Sequence, residues 1–408
     1  MSEISSNLMR YRRFGRTELQ MPVLSCGGMR YQFKWGDANP EDITPESQEN
    51  LERTIHRALE LGINHIETAR GYGSSEMQLG WVLPKLPREK MIVQTKVNPN
   101  ADPKEFLANF EKSFKYLNLE YVDLLAFHGL NTLEILDQIV LRNGCMKIAR
   151  QLQKEGRVRH IGYSTHGPSH VLEAANRTGE FDYFNLHWYF VNELNWPAIE
   201  EAKRQDMGTF IISPSDKGGM LYKAPAKLKE LTSPLTPIQF NDLWCLSRPQ
   251  VHTLSIGAAR PSDFDEHVEA LQHYDTIEET VAPIEQRLRD EMRKTFEELG
   301  EDWIERWPEG IPDSTQIPGE INVKEILRLY TYAKPFDLIE WGKSRYNMFG
   351  TAGHWFPGQN PADIDEEKRL AIQNAVAKSP FAAKIPDVLH QAHELLAGEQ
   401  QKRISESS

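Results

Sequence analysis

Cysteine is scarce: Cys26, Cys145 and Cys245 are the only three in 408 residues, and their wide spacing excludes a disulfide framework or a Cys-x-x-Cys metal ladder. A reducing, cytoplasmic setting is expected. No stretch approaches the ~18 consecutive apolar residues of a membrane-spanning helix, and Met1 to Arg16 lacks the continuous apolar run of a secretory leader, so a soluble, unprocessed chain is expected. Positive charge is also in deficit. Lys and Arg number 47 against 59 Asp and Glu, a net charge of −12, which argues against binding to nucleic-acid phosphates or acidic membranes. A G-x-G-x-x-G turn is missing, which excludes the Rossmann type of dinucleotide site.

What the sequence does contain is a rhythm. Short β-prone runs recur at Val23–Cys26, Ile63–Ile66, Met91–Gln94, Val122–Phe127, His160–Tyr163, Tyr183–His187, Thr209–Ile212 and Thr253–Ile256. Amphipathic stretches separate them. From Ser47 to Leu61 the apolar residues Leu51, Ile55, Ala58 and Leu59 follow a helical period, Pro45 favours the start and Gly62 the stop. Lys104 to Leu117 repeats the pattern with Phe106, Phe110 and Phe114. Alternating strands and helices imply parallel βα units, and eight such units with right-handed crossovers close into a (β/α)8 TIM barrel, an α/β fold.

The rhythm stops near residue 275, so residues 1–275 are read as the barrel and 276–408 as a mainly helical extension. Helices are expected at Thr276–Leu299, Val323–Tyr332 and Glu366–Ala377, with loop across Asn347–Pro361 and a frayed end from Gln400.

In a barrel, the C-terminal ends of the strands share one mouth. Strand two ends in Glu67-Thr68-Ala69-Arg70-Gly71-Tyr72-Gly73, strand three in Thr95-Lys96 and strand four in His128-Gly129, so a carboxylate, a phenol, an amine and an imidazole converge. Trp35, His187, Trp188 and Tyr189 supply aromatic walls for a small substrate, or else core packing.

The ordered set Glu67-Thr68-Ala69, Tyr72-Gly73, Ser75-Glu76 and Leu79-Gly80 resembles the aldo-keto reductase family. So do Tyr11–Thr17, Gly27-Gly28-Met29 and Ile161–Ser164, and together the pieces cover about residues 10–270. The resemblance implies a reductase of small aldehydes or ketones, reactive dicarbonyls such as methylglyoxal among them, that takes hydride from NADPH. It implies Tyr72 as the proton donor, Lys96 and Glu67 as the pair that tunes it, and His128 as the group that orients the carbonyl. A phenol of ordinary pKa about 10 is a sluggish acid near neutrality, and an adjacent ammonium eases its ionisation. Glu67 stands where the family usually has Asp.

For the cofactor, the resemblance points to Gly28 and Met29 after strand one, and to Ser164, Thr165 and Asn185 beside the nicotinamide. Ser213, Pro214, Ser215, Lys217 and Gly219 match the loop that covers the pyrophosphate. Gly257, Ala259, Arg260, Asp263 and His267 match the adenosine-phosphate segment, where the Arg260 guanidinium offers a planar fork to a 2′-phosphate. Trp307–Pro312, Val323–Tyr330 and Ala352–Gly358 resemble the tail of a subgroup carrying a ferredoxin-like domain. No Cys lies beyond Cys245, so no iron–sulfur cluster and no metal are expected there. Two other readings stay open. Some relatives bind the cofactor and report redox state to a partner protein with little turnover, and an unrelated barrel enzyme would use Lys96 as a Schiff-base amine.

Overall fold

In the computed structural model, which describes residues 8–361 and 364–403, eight parallel strands close on themselves. They are β3 (Leu24–Gly27), β4 (His65–Glu67), β5 (Ile92–Val97), β6 (Val122–His128), β7 (Val158–Ser164), β8 (Tyr183–Leu186), β9 (Gly208–Ile211) and β10 (Thr253–Ile256). The strand order runs β3 to β10 around the ring and β10 pairs back onto β3, Ser255 opposite Ser25. The expected (β/α)8 barrel is therefore the fold, and each β-prone run read from the sequence overlaps one of its strands.

The flanking helices form for readable reasons. Helix Pro45–Glu60 starts with proline at its first position and with the Thr44 hydroxyl accepting from Ser47 N–H. It buries Leu51, Ile55 and Ala58. Helix Pro103–Leu117 is capped by Asp102, buries Phe106, Phe110 and Phe114, and ends at Asn118 in the left-handed region.

A hairpin precedes the barrel, pairing β1 (Tyr11–Arg13) with β2 (Gln20–Pro22). Phe14 and Met21 from this hairpin pack with Ile92, Leu124, Ala126, Tyr183 and Phe210, most of them near the starts of their strands. The hairpin thus plugs the N-terminal end of the barrel, each large side chain contributing about 1.5–3 kcal/mol by burial. Arg12 secures it, its guanidinium donating to the Leu246 carbonyl at 2.7 Å and its Nε to the Tyr274 hydroxyl at 2.8 Å.

Above the plug the inward positions turn polar. Ser25 Oγ lies 2.7 Å from both His65 Nδ1 and Thr253 Oγ1. Burial, helped by the Lys96 charge, pushes His65 down to about 3, so it is a neutral core imidazole. Alternation along the strands then places Glu67, Lys96, His128, Ser164, Asn185 and Ser255 on the inward face at the C-terminal rim.

The chain divides into two compact units. Residues 1–215 and 241–277 make one, and residues 216–240 with 278–408 make the other. The second unit is helical. Its helices include Ile277–Thr295, Val323–Phe336, Ile339–Tyr346, Glu366–Ala375 and Ile385–Leu396, with Trp303 against Phe381 and Phe296 against Tyr330 in its core. Residues 216–240 are tied into it by Trp341 Nε1 donating to Lys217 O at 3.1 Å and Arg287 donating to Leu231 O. Gln401, expected to fray, is held by Asn347 O and Thr351 Oγ1, while 404–408 lie outside the described residues.

Candidate active site

Glu67 closes β4, and the chain beyond it keeps pairing with β5 through Thr68 N to Gln94 O and Arg70 N to Lys96 O. A turn follows, closed by Tyr72 N donating to Ala69 O at 3.0 Å. Gly73 is required in it. Its φ is +55°, and a Cβ there would lie 1.9 Å from the Lys34 carbonyl oxygen. The turn sends Tyr72 back over the barrel mouth, where Trp35 meets its ring edge-on at 6.5 Å.

Lys96 sits at the centre, its side chain 1% exposed. Its ammonium donates to Thr68 O at 3.0 Å and to the Tyr72 hydroxyl at 3.2 Å, and it is ion-paired with Glu67. Burial pulls Lys96 well below the ordinary lysine value, and the carboxylate in contact favours the charged form. The longer side chain of Glu67 is accommodated opposite Gly27, and its second oxygen accepts from Ser255 Oγ at 3.4 Å. His128, ending β6, stands edge-on to Tyr72 with ring centroids 5.7 Å apart. The four residues predicted to carry the chemistry are thus brought together.

The support around them was not assigned from sequence. Glu76 accepts from Thr95 Oγ1 at 2.6 Å and pairs with Arg70 at 2.7 Å, while the other arm of Arg70 meets Asp37. Burial raises the Glu76 pKa, and Arg70 works against that rise. This buried pair ties the Tyr72 turn to β5. The Ser75-Glu76 pair in the sequence was its only signal.

Among the predicted cofactor residues, Asn185 fits a nicotinamide best. It is fully buried, and neither atom of its amide finds a hydrogen-bond partner among the described residues. A carboxamide would satisfy both atoms, which otherwise cost about 1–3 kcal/mol each. Ser164 lies next to it in register and accepts from Gly129 N–H. The Thr165 hydroxyl is already committed, donating to Leu130 O at 2.7 Å and accepting from Gly167 N–H at 2.8 Å. Gly28 is a packing glycine, since a Cβ would stand 2.6 Å from Glu67 O, and Met29 follows it on the rim loop. Ser213 has a φ of +54°, and Pro214 and Ser215 lead into a short helix whose Lys217, with Gly219, belongs to the second unit.

On the loop after β10, a Cβ at Gly257 would meet Arg30. Asp263 accepts from Ala259 N–H and Arg260 N–H, and its other oxygen bonds Arg260 Nε at 2.9 Å. Arg260 is exposed, and its terminal nitrogens make no bond among the described residues.

Two of the predicted residues are engaged elsewhere in the fold. His267 is buried and its Nδ1 bonds Asp242, so it joins helix Asp265–Ala270 to helix Pro237–Leu246. Trp188 is 2% exposed and stacks on Trp244 at 4.4 Å, so it is core packing and not a substrate wall. His187, by contrast, occupies the next inward position after Asn185.

Residues 23–189 match the Aldo/keto reductase family. The chain is 23% identical to the L-glyceraldehyde 3-phosphate reductase of Escherichia coli O157:H7 over 338 residues, covering 69% of this chain and 93% of that protein. It is 29% identical to the NADH-specific methylglyoxal reductase of Escherichia coli K12 over 150 residues, covering 32% of this chain and 45% of that protein. In structure it is similar to the holo form of the aldo-keto reductase AKR11C1 of Bacillus halodurans, with a TM-score of 0.57 at 19% identity over 68% of this chain and 96% of that one.

Proposed function

We propose that the chain is an oxidoreductase of the aldo/keto reductase family, which its residues 23–189 match, and that it reduces small aldehydes or ketones to alcohols with NADPH. The observation that carries this reading is the contact of the buried Lys96 with both Glu67 and the Tyr72 hydroxyl. When bound, the reduced nicotinamide supplies the hydride. Asn185 and Ser164 would hold its carboxamide and so fix which ring face is turned to the mouth.

The Tyr72 hydroxyl gives its proton to the substrate oxygen as charge gathers there. The Lys96 ammonium, 3.2 Å from it, stabilises the phenolate left behind, and Glu67 keeps that ammonium charged against burial. His128 orients the carbonyl oxygen toward Tyr72. The free fork of Arg260 supports the phosphorylated dinucleotide, since its terminal nitrogens are the ones a 2′-phosphate would meet. Relatives named for glyceraldehyde phosphate and methylglyoxal support small oxygenated aldehydes as the substrate class.

The test is NADPH absorbance with purified protein and a panel of short aldehydes, with NADH and Tyr72→Phe in parallel. Turnover that Tyr72→Phe abolishes supports the reading. Saturable NADPH binding without turnover of any carbonyl overturns it in favour of a cofactor-sensing role.

A further inference from the structure

At the closed end of the barrel, opposite the mouth, the connections into β9 and β10 flank a cavity of about 120 Å³. Lys203 lies in the last turn of helix Trp196–Arg204, and Asp206 and Met207 follow it before β9. Pro249, Gln250 and His252 come from the segment that leads into β10. The two strands are neighbours, with Phe210 in register with Thr253, so their approaches lie side by side.

One ring nitrogen of His252 is spent. Its Nδ1 lies 3.0 Å from the Thr209 backbone nitrogen, whose N–H can only donate, so Nδ1 is the acceptor. Burial, helped by the Arg12 and Arg13 charges, pushes His252 down to about 4, and the neutral ring therefore carries its proton on Nε2. That N–H has no partner among the described residues, so the half-buried ring offers the cavity a donor. Lys203 is exposed and makes no ion pair among the described residues.

The carboxylates at hand are already answered. Both oxygens of Asp206 accept from Arg13 at 2.7 to 3.0 Å, and the Gln250 amide donates to Glu200 at 2.8 Å. The charges that act on His252 are the two guanidiniums, with no carboxylate among them, so the field at this ring is positive in a chain whose net charge is −12. An ammonium and an imidazole N–H are donors only, and a group that accepts from both and carries negative charge satisfies them best. We infer that the cavity binds a small oxyanion, a phosphate or carboxylate group, between the Lys203 ammonium and His252 Nε2–H. Its volume equals the share of about four water molecules in the liquid, which admits such a group on a short stem and excludes a nucleotide. The site does not depend on the reductase reading, since it lies at the other end of the strands from Lys96.

The test is a titration of the full chain, carrying isotope-labelled histidine, with inorganic phosphate near neutral pH, followed by nuclear magnetic resonance. Ionic strength is held constant so that screening does not change. The His252 signals are assigned by their loss in His252→Asn. The expected result is a saturable displacement of the His252 Nε2 resonance, half complete at about 10 mM phosphate or below. Acetate titrated in parallel tells a tetrahedral anion from a carboxylate. Lys203→Met, a change at an exposed side chain, weakens the binding by about tenfold, the worth of one hydrogen bond to a charged group. The thermal midpoint of the wild type rises with the same anion, because only the folded chain has the cavity. A His252 signal unmoved by both anions, or an affinity that Lys203→Met leaves unchanged, overturns the inference.

Discussion

Lys96 Nζ stands 3.2 Å from the Tyr72 hydroxyl and is ion-paired with Glu67, so one buried ammonium is shared between a carboxylate and a proton donor. Replacing it with an apolar chain of similar length takes the cation from both. Lys96→Met is expected to lower kcat by about 10²-fold or more while cofactor affinity stays close to that of the wild type. Single-turnover kinetics beside a fluorescence titration separate the two quantities. A kcat within threefold of wild type would remove Lys96 from the mechanism. Because the variant strands Glu67 without its partner, Lys96→Met with Glu67→Gln serves as the folding control.

Gly73 couples the Tyr72 turn to the strand of chain above it. In Gly73→Ala the new methyl would collide with the Lys34 backbone at a positive φ, so either the turn or the Trp35 loop must move. The expected cost is about 1–3 kcal/mol in stability, with activity reduced by up to about 10²-fold because a shift near 1 Å misplaces the acid. Thermal unfolding and steady-state kinetics on the same preparation check both.

Asp263 ties down the loop that carries Arg260, and on the proposed reading its carboxylate would repel a 2′-phosphate held by Arg260. Asp263→Ser is expected to raise the preference for NADPH over NADH by about tenfold, the worth of roughly 1.4 kcal/mol. Ratios of kcat/KM for the two cofactors measure it. An unchanged ratio would take the Arg260 loop out of phosphate recognition.

Acid should destabilise the barrel through two buried imidazoles. Burial, with Arg12 and Arg13 nearby, pushes His252 down to about 4, and His65 is held at about 3. Both folded values lie below the unfolded value of about 6.5. The unfolded chain therefore takes up protons first, and stability present above pH 6.5 is lost as pH falls toward 4 and then 3. His252 Nδ1 accepts from Thr209 N–H at 3.0 Å, a role that an amide oxygen also fills. In His252→Asn the thermal midpoint should fall less between pH 6.5 and 4 than in the wild type. Equal slopes would place the acid sensitivity elsewhere.

The barrel was legible because parallel strands buried on both faces leave unbroken apolar runs such as Leu124–Phe127, and the helices between them keep their period. The hairpin was not. Its strands are three residues each and one reads Tyr11-Arg12-Arg13, a polar run that pairs only because Arg12 finds carbonyls at the barrel's closed end. Tyr72, Lys96, Glu67 and His128 were legible because strand ends converge. Trp188 misled for a simpler reason: alternation that turns His187 inward turns Trp188 outward, onto Trp244. The partner of His267 lies 25 residues away on another helix, and no local pattern announces it.

The assignment of residues 216–240 to the helical unit has a topological consequence. The chain passes between the units at 215/216, 240/241 and 277/278, three crossings where a simple appended tail would have one. A stop codon after residue 277 would not free the barrel, for it would leave a 25-residue loop stripped of the helices it folds with. The two parts are therefore inseparable by truncation, and a barrel prepared alone would need that loop replaced by a short bridge from Ser215 to Asn241.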